Sequence, residues 1–194
     1  MSDAERAKWN ARYAEGAAPR DPSTLVVELD ALLPTRGRAL DVAGGAGRHA
    51  VWLARRGLDV TLADIAQAGL DLARSAASAA GVSIETRAID FESDPFPEGP
   101  WDVILSFHYL WRPIFEIAPR VLAPGGAFVI VHPTRSNLER HPKPGPAFLL
   151  EDGEIAALAR DLEHARGLTI ARCEEGWLAE GRHEARLVAV KPAT

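Results

Sequence analysis

The chain is expected to adopt an α/β fold on a mostly parallel sheet. Two observations predict it. From residue 38 onward, apolar runs of strand length alternate with amphipathic helical stretches. The first of these runs ends in a Gly-rich turn that opens directly into a helix, and no internal repeat interrupts the pattern.

Residues 38–43 read as the first strand, and Gly44 to Gly47 as a tight turn. The helix from about Arg48 carries Ala50, Val51, Leu53 and Ala54, and stops at Arg55, Arg56 and Gly57. Cations in a last turn with Gly just beyond are a stop signal. Residues 58–63 are a second strand. A helix over about 66–80 places Ala66, Leu70, Ala73 and Ala77 on one face. Residues 82–88 alternate weakly as a third strand, and a loop with three prolines leads into a buried fourth strand over 101–107. A helical stretch over about 113–123 contains Pro119, so a kink or two short helices are expected. Pro124, Gly125 and Gly126 read as a turn before a fifth strand over 128–131. Residues 133–149 hold four prolines and read as a long loop, often a lid or binding loop. A helix over 151–166 and strands at about 168–173 and 184–191, able to pair as a hairpin, complete the chain.

Composition narrows the function classes. The 194 residues fit one domain, and the net charge of −5 offers no basic face for nucleic acid. The single cysteine, Cys173, can form no internal disulfide and no cysteine cluster for a metal. The six histidines lack metal-ligand spacing. No apolar run approaches ~20 residues, and the N-terminus lacks a signal-peptide core, so a cytoplasmic, non-membrane protein is expected. Arg outnumbers Lys 19 to 3, the bias of a GC-rich bacterial genome.

The turn after the first strand carries the chemistry. Gly45 and Gly47 allow close backbone approach, and the helix N-terminus presents free N–H groups. Such a turn suits a phosphate or the carboxylate of an amino acid. The G-x-G-x-x-A run at 45–50, with Asp64 following 17 residues after Gly47, leaves a dinucleotide reading open. Asp41 argues against it, because a carboxylate there repels a pyrophosphate and welcomes an ammonium or sulfonium group.

The segment ALDVAGGAGRHA at 39–50 resembles motif I of the class I S-adenosylmethionine-dependent methyltransferases. WNARY at 9–13, YLWRP at 109–113, LAPGG at 122–126 and FLLEDGE at 148–154 are similar to the small bacterial tellurite-resistance and thiopurine methyltransferase group, as is the closing strand through Lys191. Two positions depart from that pattern: Ala43 stands where the first glycine is usual, and His132 where a carboxylate is common. The resemblance implies S-adenosylmethionine as cofactor and a Rossmann-like three-layer sandwich, its seven-stranded sheet mostly parallel with the last strand antiparallel. It implies donor contacts at Asp41, Gly44, Gly45, Gly47, Asp64, Ile65, Asp90, Phe91 and Ser106. Asp64 would accept the ribose hydroxyls, with a helix-start cap as its alternative. Asp90 would take the adenine amino group beside the flat wall of Phe91.

Catalytic candidates are His108, Arg112 and His183. Ser106, Phe107 and His108 are expected to face one side at the end of the fourth strand; Arg112 suits an anionic acceptor, and His183 precedes the last strand. Trp9, Arg12 and Tyr13 lie at helical spacing and read as a lid or a docking face. The expected organisation is one domain, with cap or lid helices over 1–35 and a core over 36–194, as a monomer or homodimer. The expected function is methyl transfer to a small-molecule acceptor, with no nucleic acid and no metal. The absence of an obvious base favours a soft sulfur, selenium or tellurium nucleophile. The alternatives are an NAD(P)-binding oxidoreductase and a non-catalytic nucleotide-binding module.

Overall fold

The computed structural model describes residues 3–15 and 21–193. Helix α1 (Asp3–Ala14) and the short α2 (Thr24–Glu28) precede the sheet. Then come β1 (Arg38–Val42), α3 (Arg48–Arg55), β2 (Asp59–Asp64), α4 (Gln67–Ala79), β3 (Glu85–Ala88) and β4 (Trp101–Phe107). The chain continues through α5 (Ile114–Val121), β5 (Leu122–Pro133), α6 (Glu154–His164), β6 (Thr169–Trp177) and β7 (His183–Val190).

The sheet has the order β3-β2-β1-β4-β5-β7-β6. The first five strands pair in parallel, and β7 runs antiparallel to both β5 and β6. This is the predicted Rossmann-like sandwich. Alternation along each strand divides the core into two layers. Ala39, Val103, Leu105 and Val129 pack with residues of α2, α3 and α4. Leu40, Val42, Ile104 and Ile130 pack with residues of α5 and α6. No helix among the described residues is long and apolar enough to cross a membrane.

Several boundaries differ from the sequence reading, each for a local reason. Strand β3 starts at Glu85 because Val82 still caps α4, its N–H bonding back to the Ala77 carbonyl at 3.0 Å. Helix α5 is a single helix through Pro119 and ends at Val121. Strand β5 begins at Leu122, and the Pro124–Gly126 stretch is a bulge inside it: Trp101 pairs with Leu122 and Val103 with Ala127. The amide and carbonyl of Lys191 hold that bulge from β7's end. The segment 133–149 is tied down rather than open. It contains two 3₁₀ turns, Arg135–Glu139 and Pro146–Phe148, and a parallel bridge joins Thr134 to Leu150.

Candidate functional site

Parallel pairing of β1 with β4 and of β4 with β5 brings three strand ends together. In an open α/β sheet, ligands sit beyond those carboxyl ends. Here the turn from Asp41 to Gly47 faces a cavity of about 640 Å³. Gly47 (φ 79°) is the N-cap of α3. Ala43 stands at φ 53°, a left-handed conformation that disfavours a side chain and explains why glycine is usual there. A side chain at Gly44 would force Asp41 to shift, since a Cβ would stand 2.5 Å from Asp41 Oδ2.

Asp41 is 1% exposed, and neither of its carboxylate oxygens has a hydrogen-bond partner. Burial pushes its carboxyl up from 3.8 to about 7. The Ala50 amide pulls the other way, too poorly placed to form a hydrogen bond, and Asp64 adds to the rise. A buried carboxylate without a hydrogen-bond partner, beneath a glycine turn that opens into a helix N-terminus, is suited to a cationic group.

The far wall is assembled from distant segments. Phe107 and His108 end β4, Val131 comes from β5, and Leu178, Glu180, Arg182 and Glu184 come from the β6–β7 hairpin. His108 Nε2 meets Glu184 Oε1 at 2.8 Å, and the Glu184 side chain is only 5% exposed. Burial alone would raise the Glu184 carboxyl; the His108 bond and the guanidiniums of Arg182 and Arg186 turn the net shift downward, so it is ionised. His49 also lines the cavity, packed on Phe107 with ring centres 4.2 Å apart. Burial first, then Arg48 and His108, lower His49 from 6.5 to about 3, and its Nε2 accepts the Ser23 N–H at 3.4 Å. Helix α1 contributes Trp9, Arg12 and Tyr13 to the cavity.

The expected donor residues divide into two groups. Asp41, Gly44 and Gly47 line the cavity; Gly45, Asp64, Ile65, Asp90, Phe91 and Ser106 do not. Tyr13 lies over Gly45, and Asn10 accepts the Ala68 N–H at 2.9 Å, so α1 covers the start of α4. Asp64 accepts from Gly45 N at 2.9 Å and Ala66 N at 2.8 Å, which ties the glycine turn to the start of α4. Ile65 is buried beside it. Asp90 caps its own turn by accepting from Glu92 N at 3.0 Å, and Phe91 sits among Phe96, Tyr109 and Trp111.

Three acceptor-side expectations are corrected. Ser106 does not face the same side as Phe107: strand alternation sends it to the α5–α6 layer, where its hydroxyl donates to the Tyr109 carbonyl. Arg112 is held bidentately by Glu154 at 2.7 and 2.9 Å and stands outside the cavity. His183 also points elsewhere, with Nδ1 at 2.7 Å from Thr134 Oγ1 and its ring edge-on to Trp177. Its neighbour Glu184 takes the inward place. Glu184 and His49 escaped the sequence reading. The available signal was strand alternation in β7, which turns adjacent side chains to opposite faces. The fold also gathers Asp152, Glu175 and His183, with ligand atoms within 4.8 Å of one another. Hydrogen bonds from Ser136 and Gly153, and the Thr134 contact, already engage these side chains.

Residues 39–126 match the family model described as a methyltransferase domain. The tRNA 5-carboxymethoxyuridine methyltransferase of Escherichia coli K12 is 33% identical over 127 residues, covering 59% of this chain and 48% of that protein. The chain thus spans about half the length of the curated relatives it matches. Among solved structures, TehB from Haemophilus influenzae aligns with a TM-score of 0.72 at 20% identity, over 94% of this chain and 67% of that one. A SAM-dependent methyltransferase from Aquifex aeolicus aligns with a TM-score of 0.64 at 19% identity, over 97% and 98% of the two chains. At these identities the likeness is one of fold.

Proposed function

We propose, for a chain that has the class I methyltransferase fold and carries a methyltransferase domain over residues 39–126, that it transfers a methyl group from S-adenosylmethionine to a small-molecule acceptor held in the cavity. The observation that carries this is the buried, unpartnered Asp41 carboxylate under the glycine turn. It fits the ammonium group of the donor's methionine moiety, while the positive N-terminal end of α3 fits its carboxylate. Bound there, the donor supplies an already activated methyl on a sulfonium. The chain's own work is to orient the two reactants and keep water out. Asp64 holds the turn that the donor lies against, and α1, through Trp9 and Tyr13, covers the cavity.

A pyrophosphate fits this arrangement badly, because it would approach the Asp41 carboxylate, and this speaks against an oxidoreductase. Calorimetry with S-adenosylhomocysteine tests the reading. Saturable micromolar binding, roughly −8 kcal/mol, is expected, with none for NADH. Binding of NADH but not of S-adenosylhomocysteine overturns it.

The size of the cavity and the net charge of −5 support a small acceptor. The E. coli relative is a tRNA methyltransferase, which favours a second reading; unmodified tRNA belongs in the same assay, and its methylation would replace the small-molecule acceptor. The expectation of a soft sulfur, selenium or tellurium nucleophile rested on the lack of a base. The His108–Glu184 pair removes that ground.

A further inference from the structure

We propose that His108 and Glu184 are the proton-accepting pair of this site, and that the acceptor is a small aromatic molecule methylated on a phenolic hydroxyl. The proposal rests on the methyl-transfer reading above and names its substrate class.

The pair stands where an acceptor must lie. Val42 is in register with Ser106, so His108 leaves the sheet beside the glycine turn. The His108 N–H bonds to the Val131 carbonyl at 2.8 Å, and Glu184 pairs with Pro133 on the next strand. Four neighbouring strands therefore place Asp41, His108 and Glu184 around one cavity.

His108 is not there to fill the core. Its side chain is 33% exposed, yet its backbone is held at φ 60°, which costs a non-glycine residue on the order of 1 kcal/mol. Such strain persists where the surroundings fix it, and it clusters at functional sites. The ionised Glu184 carboxylate accepts the Nε2 proton, which assigns the tautomer and leaves Nδ1 as the basic nitrogen. A buried carboxylate behind an imidazole also stabilises the imidazolium once a proton arrives. His49, in the same cavity, cannot substitute: burial holds it near 3 and its Nε2 is already an acceptor.

A base of this kind is wasted on a thiolate or a carboxylate, which arrive ionised. It suits a hydroxyl titrating near ~10, as phenols do. Phe107, Trp9, Tyr13 and Leu178 give the cavity the apolar walls that a small aromatic ring requires. In the step, His108 Nδ1 takes the hydroxyl proton as the oxygen forms its bond to the methyl carbon. The sulfur–methyl bond breaks with its electron pair on sulfur, and the products are the aryl methyl ether and S-adenosylhomocysteine. Glu184 holds the imidazolium until it releases the proton to water.

The test measures S-adenosylhomocysteine formation by the full chain at saturating S-adenosylmethionine. Probes are a set of substituted phenols, the matched thiophenols and tellurite. The wild-type chain should methylate the phenols. His108→Gln should lower kcat 10²–10⁴-fold and leave the phenol KM within about threefold. His108→Asn, whose side chain tolerates φ 60° better, should do the same and guards against misfolding. Glu184 is a positioning residue; Glu184→Gln should lower kcat about tenfold and leave both the phenol KM and the S-adenosylhomocysteine affinity unchanged, a split that lost packing would not produce. Inert phenols, or phenol turnover that survives both His108 variants, overturn the proposal. Failure of S-adenosylhomocysteine to bind the wild-type chain instead overturns the methyl-transfer reading beneath it.

Discussion

The two walls of the cavity are built in opposite ways. The turn wall, residues 41–47, is contiguous, and strand, turn and helix N-terminus follow directly from its residue order. The far wall takes His108 and Glu184 from positions 76 apart, and sheet order alone makes them neighbours. The electrostatics differ as well. On the turn wall Asp41 is buried without a partner and its proton is held too tightly, whereas on the far wall Glu184 is buried with partners and stays ionised. A buried carboxylate lacking its partner is costly until a ligand supplies one, and one with partners is already poised for work.

The contrast is broken most sharply at Asp41. Its pKa is about 7 in the folded chain against 3.8 ordinarily, so the folded state binds that proton more tightly than the unfolded state. Stability from this group therefore falls as pH rises between those values and levels off above the higher one. Asp41→Asn should raise stability at pH 8 by up to about 4 kcal/mol and flatten the slope. Some slope should remain, because burial also raises Asp64. Thermal melts at pH 5 and pH 8 check this. In the same variant, S-adenosylhomocysteine affinity should fall by roughly 1.5–3 kcal/mol. Stability and binding moving in the same direction would contradict the assignment of Asp41.

Asp64 sharpens the comparison, because it is a carboxylate on the turn side that does have partners. Asp64→Ala orphans the N–H groups of Gly45 and Ala66, both bonded to it at under 3 Å. The expected cost is about 2 kcal/mol of folding stability, seen as a melting temperature lower by roughly 4–8 °C. An unchanged melt would show that the carboxylate does not hold the turn. The smallest effect is expected at Ala43. Ala43→Gly relieves the φ 53° strain but gains freedom in the unfolded chain, for a net stabilisation of about 0.5 kcal/mol. A lower melting temperature would mean that the methyl group makes contacts worth more than the strain.

The sequence by itself determined the fold class, the strand–turn–helix at 38–55, and the hairpin at the end of the chain. Those features depend on local periodicity, on glycine in the turn, and on capping signals within one or two turns of each boundary. It also singled out Asp41, because its position at a strand end is fixed by residues beside it. Only the tertiary structure decided what faces the acceptor. Strand alternation turned Ser106 away from Phe107, and Glu154 took Arg112 out of the cavity. In β7 the same alternation chose Glu184 over His183, because β7 lies against β5 with Glu184 opposite Pro133. A pairing between strands distant in the chain leaves no periodic trace in either one, and so the base of the site became visible only in the folded molecule.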